Sequence, residues 1–402
     1  MPAKCLQFKG DSILFDEETK NQANEIASQK ALDNAIIKIM PDAHAGKASC
    51  IGFTAIVDNG MVIPNTIGVD IGCAVSSYKI PVNDIDYAKL DNVIRNNIPS
   101  GNSIRKTLSP YISDNIKQII EIYTPKSCKD KIEHFKNSIG TLGGGNHFIS
   151  VEGNEDEKYL LIHCGSRHFG YKICEYFQQL AELNYSKYKS ETIDSILKNI
   201  EPSKREKYLK QNNIENIKRD YMYLEGGVAT HYLYHMLAAV MFSEVNHYAI
   251  YRTIFDNMGW GEIDINSKNE HILTKHNYIE ITNNNSYIIR KGAVSAYKDE
   301  LFLLPMNMAD GTYICKGKGN PDWNYSAPHG AGRIGTRAEA KRTLNMDEFK
   351  SRMKGIWSSC IKESTIDESP MAYKDPKFIS EVINETATII KHLKPFYNFK
   401  AS

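Results

Sequence analysis

The chain has 402 residues, 42% of them hydrophobic and 24% charged, which excludes a disordered protein and allows one large domain or two modest ones. With 49 Lys and Arg against 48 Asp and Glu, the net charge of +1 excludes a global positive field, so a phosphate-rich partner must be met by a local basic patch. The eight cysteines show no paired spacing and no CxxC, which argues against a disulfide framework and for a reducing compartment. The start, Met1-Pro2-Ala3-Lys4-Cys5, lacks the apolar core of a signal peptide, and no apolar run is long enough to span a bilayer, so a cytoplasmic location without membrane attachment is expected.

In chain order, Ala35 to Met40 and Ile51 to Val57 read as strands, with Pro41 to Lys47 as a loop between them. Asp42 and His44 on that loop are placed to serve a site. The plainer alternative, that Asp42 caps a turn and His44 is solvated, has equal standing at this level. The apolar segment Gly60 to Pro64 reads as a buried strand, after which Gly68-Val69-Asp70-Ile71-Gly72-Cys73 turns and aims Asp70 and Cys73 into one cavity. A thiolate and a carboxylate three residues apart suit one divalent ion, or two ions bridged by the sulfur. A buried cysteine by itself is more often a small hydrophobe. Asp84 to Ile98 and Ile112 to Tyr123 carry apolar residues at helical intervals, and Pro99 ends the first.

Gly143-Gly144-Gly145 exposes backbone N–H groups that suit a phosphate, or merely permits a tight reversal, and delivers Asn146 and His147 to the start of a strand. Tyr159 to Cys164 is an apolar strand carrying His163 near its end. Arg167 follows close to the N-terminus of an amphipathic helix over Gly170 to Asn184, where an anion is favoured. The alternative for His163 is a core histidine bonded to a carbonyl.

Ser186 to Lys218 is lysine-rich and weakly apolar, as an exposed helical excursion would be. Tyr221 to Asn257 is a strongly apolar helical stretch. Its His231 and His235 are spaced i, i+4 but lack the H-E-x-x-H pattern, so packing is the better reading. Lys275 to Ile281 alternates as a strand, with His276 at its beginning. In Ser326-Ala327-Pro328-His329-Gly330-Ala331-Gly332-Arg333 small residues leave His329 open to a bulky electrophile, unless the segment is an ordinary flexible loop. Helices over Thr336 to Leu344 and Lys377 to Leu393, then a basic tail ending at Lys400, close the chain.

Assembled in order, PDAHAGK, GVDIGC, LGGGNHF, HCGSR, HNYIE, RKGAVSA, HGAGR and PMAYKD resemble the motifs of the RtcB family of RNA-splicing and RNA-repair ligases. The resemblance implies a single α+β domain over residues 1–402, a sheet-rich core with surrounding helices and a helical excursion at 185–257. It implies two manganese ions, with Cys73 the bridging thiolate, Asp70 and His147 completing one ion and His163 and His276 the other. His329 matches the nucleophile that takes GMP from GTP, and Asp42 the carboxylate that holds its other nitrogen. The GMP then activates an RNA 3′-phosphate, a 5′-hydroxyl attacks, and GMP leaves; a 2′,3′-cyclic phosphate is first opened by the same site.

For the nucleotide, the resemblance implies contacts from Asn146, Asn277, Pro305, Asn307, Met308, Thr312, Gly330, Ala331, Gly332 and Lys400, with Arg167 and Arg333 as holders of phosphate. It further implies a monomer with RNA ends as partners and an archease-type activator. Two departures bear on base selectivity. Ser150 stands where the family has a glutamate that reads guanine, with Glu152 nearby, and Pro305-Met306-Asn307-Met308 replaces a PGSM segment. The competing readings are a metal-dependent RNA end-processing phosphodiesterase that has lost ligation, and a non-catalytic RNA-binding protein.

Overall fold

Side chains that alternate between two faces organise the strands of this chain into sheets. The computed structural model describes residues 3, 5–10, 15–198, 200–204, 218–282 and 286–401. Its strands are β1 (Cys5–Phe8), β2 (Ile36–His44), β3 (Ile51–Val57), β4 (Ala74–Ile80), β5 (Phe148–Gly153), β6 (Lys158–Cys164) and β7 (His271–Lys275), followed by β8 (Asn277–Ile281), β9 (Tyr287–Lys291), β10 (Ala293–Ser295), β11 (Leu301–Asn307), β12 (Gly311–Gly317), β13 (Ser326–Pro328) and β14 (Ala387–Lys400). One sheet has the order β1-β2-β3-β9-β8, and β10 and β13 form a short ladder. The larger sheet runs β11-β12-β14-β5-β6-β4-β7, with antiparallel neighbours throughout. It curls until its edges meet, where the Leu303 amide on β11 donates to Thr274 Oγ1 beside it on β7 at 2.8 Å.

Period-two burial explains the curl. Val75, Phe148, Leu161, Ile272, Leu303 and Leu393 pack inside the curled sheet. Their neighbours Ile149, Val151, Leu160 and Ile162 face outward onto the helices Tyr87–Asn97 and Gly226–Met258. Each such aliphatic side chain withdrawn from water contributes about 1.5–3 kcal/mol. Local signals set the helix ends: Asp86 and Ser113 cap Tyr87–Asn97 and Asp114–Tyr123 by accepting from Lys89 and Ile116 amides, and Gly259 closes the long helix in the left-handed region. The fold is α+β, as expected. Among the described residues no helix is long and apolar enough to cross a membrane.

Several local expectations change. Gly60 to Pro64 is not a strand: Val62 makes a single bridge to Leu224, and Pro64, which has no N–H to give a ladder, opens the 3-10 turn Pro64–Ile67. Asp70 and Cys73 therefore precede β4 rather than end a strand. Pro41 to Lys47 is not all loop, because β2 continues to His44 across a register shift opposite β3. Lys275 to Ile281 divides at His276, where the chain leaves the seven-stranded sheet for the five-stranded one.

The helix expected from Gly170 begins at Arg167 and runs to Leu197, taking in the start of the lysine-rich stretch; residues 199 and 205–217 of that stretch lie outside the described ones. The closing helix stops at Val382, and Ala387–Lys400 is strand. The β-branched run Thr388-Ile389-Ile390 and Pro395 disfavour a helix, and β12 and β5 offer ladders on both sides.

Candidate active site

Four neighbouring strands of the large sheet, β5, β6, β4 and β7, end at one rim, and each end delivers a potential metal ligand. His147 precedes β5, His163 lies at the end of β6, Cys73 precedes β4 and His276 follows β7. The ladder fixes their alignment: His163 pairs with Phe148 on one side and with Val75 on the other, and Lys275 pairs with Ala74. The Cys73 Sγ lies 3.3 Å from His163 Nε2 and 3.5 Å from His147 Nε2. Beyond them, Asp70 Oδ2 is 3.0 Å from His147 Nε2, and His276 Nε2 is 3.4 Å from His163 Nε2.

Glycine makes room for these side chains. A Cβ at Gly165 would lie 2.2 Å from Asp70 Oδ1. Backbone bonds finish the rim: the His276 amide donates to the Cys73 carbonyl, and Gly72 to that of Asn277.

The donor set fits a divalent cation. Burial holds His163 and His276 well below the ordinary imidazole range, reinforced by the neighbouring imidazoles, so both rings are neutral and bring lone pairs. Burial beside Asp70 likewise raises the Cys73 thiol well above its usual value. Nε2, Sγ and carboxylate atoms crowded this closely are poorly matched unless a cation sits between them. Cys73, His147 and His163 form a buried group able to hold a metal ion. Thiolate, imidazole and carboxylate together admit several first-row metals.

On the other side of the rim, β13 is followed by His329, whose ring centroid is 5.1 Å from that of His276. Asp42 on β2 is fully buried, and its Oδ2 accepts from His329 Nδ1 at 2.6 Å, the His329 amide at 3.0 Å and the Gly330 amide at 3.2 Å. Nδ1 therefore carries a ring proton, and in the neutral ring the lone pair lies on Nε2. Gly332 is needed nearby: its φ is +75°, and a Cβ would lie 2.1 Å from the Asp42 carbonyl oxygen. His44 also lines this region; burial lowers it to about 4 despite its bond to the Asp42 carbonyl, so it is neutral.

Ligand rim and His329 open into one cavity of about 760 Å³, a size that suits a nucleotide. A model of the family described as tRNA-splicing ligase RtcB matches residues 22–401. The chain belongs to the RtcB family. It is 28% identical over 388 residues to the RNA-splicing ligase RtcB of Escherichia coli K12, covering 89% of this chain and 88% of that protein. It is 26% identical to the tRNA-splicing ligase RtcB of Aeropyrum pernix (91% and 87% covered) and 23% identical to that of Methanococcus maripaludis (97% and 94%).

In this RtcB family member the cavity wall includes Asn146, Asn277, Pro305, Asn307, Met308, Thr312, Gly330, Ala331, Gly332, Arg333 and Lys400, all expected from the sequence. Several are already engaged. Asn277 donates to the Asp70 carbonyl and accepts from Gly292, tying two loops together. Asn307 turns onto its own loop, bonded to Ala309 and Asp310. Lys400 Nζ is paired with Glu368 at 2.8 Å. Arg333 donates to Glu368 and to the Asp367 carbonyl, while its buried Nε is without a partner among the described residues.

Arg167 stands apart from the wall. Its guanidinium donates to Thr141 Oγ1 and the Gly101 carbonyl behind the glycine turn, where its charge lies near Asp70.

Sequence reasoning missed Lys291, Arg337 and Glu368. Lys291 Nζ reaches two carbonyls and the Ser49 hydroxyl, fixing the 47–49 loop beside the cavity, and burial lowers it to about 8. Its place in the RKGAVSA motif was the available signal. Glu368 gathers Lys400, Arg333, Arg337 and Tyr373 at one end of the cavity, a cluster no local pattern announces.

Proposed function

We propose that this protein is an RNA ligase that joins a 3′-phosphate or 2′,3′-cyclic phosphate end to a 5′-hydroxyl end, using GTP and two manganese ions, in RNA repair or tRNA splicing. The printed names of its relatives as RNA- and tRNA-splicing ligases support the substrate class. The observation that carries the chemistry is the Asp42–His329 pair beside the ligand rim.

With Nδ1 held by Asp42, His329 Nε2 is the nucleophile. It attacks the α-phosphorus of GTP, forming a P–N bond while the bond to the β-phosphate oxygen breaks and pyrophosphate leaves. A 3′-phosphate oxygen of the RNA then attacks that phosphorus, releasing His329 and leaving GMP on the RNA end. Attack by the 5′-hydroxyl oxygen on the terminal RNA phosphorus forms the new phosphodiester and expels GMP, the hydroxyl proton passing to solvent or a nearby base.

Asp70, Cys73 and His147 would hold one ion, and Cys73, His163 and His276 the other, with the sulfur between the pairs as the distances suggest. The bound ions would supply charge neutralisation at the phosphates. Arg333, through its spare Nε, and Arg337, whose side chain is 41% exposed, are the cationic groups on the wall best placed to take up RNA or nucleotide phosphate. Asn277, bonded to the Asp70 carbonyl, and Lys291, locked on the 47–49 loop, keep the loops around the cavity in place as the phosphates change hands.

The test is incubation with manganese and labelled GTP, then denaturing electrophoresis and peptide mapping, alongside ligation of RNA bearing the two ends. A label on the peptide containing His329, absent in His329→Ala, together with a ligated product, supports the reading. Metal binding with cyclic-phosphate opening but neither label nor ligation would replace it with an end-processing phosphodiesterase.

A further inference from the structure

One wall of the cavity carries three buried polar atoms that have no hydrogen-bond partner among the described residues: Glu152 Oε2, Thr312 Oγ1 and Asn398 Oδ1. Their residues sit on β5, β12 and β14, which are neighbours in the sheet, and all three line the same cavity as His329. Groups of this kind are rarely left unpaired in a folded protein, and three on one wall mark a place where a ligand supplies the partners.

The character of the atoms restricts that ligand. Ser150, register partner of Asn398, donates its hydroxyl to Glu152 Oε1 at 2.7 Å, which orients the carboxyl and leaves Oε2 free. Thr312 faces the same carboxyl without a bond of standard geometry. Glu152 is 2% exposed, and no cation is paired with it among the described residues, whereas the similarly buried Glu368 has Lys400, Arg333 and Arg337. Burial accordingly raises Glu152 to about 7, against the pull of the two hydroxyls. A carboxylate without a cation calls for N–H donors from outside.

We propose that Glu152, with Thr312 and Asn398 beside it, is the base-reading wall of the nucleotide site and selects guanine by accepting its N1–H and 2-amino protons. Guanine presents two adjacent N–H groups on that edge. Adenine presents one amino group and a bare ring nitrogen, whose lone pair would face Oε2. The serine at 150 cannot accept both guanine protons, and its part is to aim the glutamate two residues on. This inference rests on the nucleotide-dependent reading above and assigns the specificity within it.

The experiment measures transfer of label to His329 from GTP, ITP and ATP with manganese, in the full chain and in Glu152→Gln. Inosine keeps N1–H and lacks the 2-amino group. In the unaltered protein, half-saturation should require about 10-fold more ITP than GTP, with ATP weaker still, as expected for a lost bond to a charged acceptor. In Glu152→Gln the half-saturating GTP concentration should rise about 10- to 100-fold, and the preference for GTP over ITP should disappear.

Equal use of GTP and ITP by the unaltered protein, preference for ATP, or a preference for GTP that survives Glu152→Gln would each overturn the assignment while leaving nucleotidyl transfer standing. Should Glu152→Gln fail to fold, the comparison of GTP with ITP in the unaltered protein decides by itself. Failure of every nucleotide to label the unaltered protein would overturn the ligase reading, and this inference with it.

Discussion

A single oxygen of Asp42 receives both the backbone amide and the Nδ1 proton of His329, at 3.0 and 2.6 Å. The same contact fixes the ring's tautomer, its orientation and the loop that carries it. Asp42→Asn replaces an acceptor of three N–H groups by an amide that satisfies fewer of them, and it removes the charge that stabilises a developing imidazolium. The rate of nucleotide labelling at His329 should fall by about 10²- to 10⁴-fold, with the half-saturating GTP concentration changing far less. Equal loss of affinity and rate would mean that Asp42 serves only to hold the loop.

Chelation should be visible in stability. If the rim binds metal, free ion at 100 times its dissociation constant adds about 2.7 kcal/mol to the folded state. The unaltered protein should melt at a lower temperature after treatment with a chelator and recover with manganese. Cys73→Ala, which removes the sulfur lying between His147 and His163, should show neither change, with metal content by elemental analysis falling in parallel.

Gly165 offers a test of the rim that leaves every ligand in place. Alanine at 165 would press on the Asp70 carboxylate, which then must swing away from His147. Metal affinity, measured by competition with a chromogenic chelator, should drop about 10- to 100-fold, as when a ligand's support is disturbed. Unchanged affinity would show that Asp70 is not a ligand.

Acid should weaken the far end of the cavity through Glu368. Burial pushes its carboxyl up, but Lys400, Arg337 and the Tyr373 hydroxyl together bring it down to about 2, below its ordinary 4.5. The sign follows from linkage. A depressed folded value contributes stability that is complete above 4.5 and is lost as pH falls from there towards 2. Urea unfolding along that range should show this decline, and Glu368→Gln should flatten it. At neutral pH the same variant leaves Lys400 buried without its anion, at a cost of about 3–5 kcal/mol.

The outline of the site was legible in the motifs, because each candidate ligand sits in a short segment whose glycines and flanking strand are local properties. His163 at the end of an apolar run and His147 after three glycines could be placed at strand termini from spacing. The membership of one set could not, since Cys73, His147, His163 and His276 meet only through the ladder order β5-β6-β4-β7. The reading of Lys377 to Leu393 as helix failed for a related reason. Ala387–Lys400 has apolar residues at intervals that serve either period, and the pairing with β12 and β5 selected strand.

That strand is where the two levels part most clearly. By itself the sequence determined several of the strands and helices, the segments bearing the candidate metal ligands and the open surroundings of His329, all of which depend on residues a few positions apart, while the α+β class came with the family resemblance. Tertiary structure alone decided that Lys400 pairs with Glu368 and that Glu152, Thr312 and Asn398 share one wall, and it brings Asp42 to His329 across 287 positions, a pairing the sequence offered only through the family resemblance. The physical reason is that a buried charge or lone pair is governed by whatever packing brings against it, and sheet register, set by the whole pattern of buried faces, chooses that neighbour.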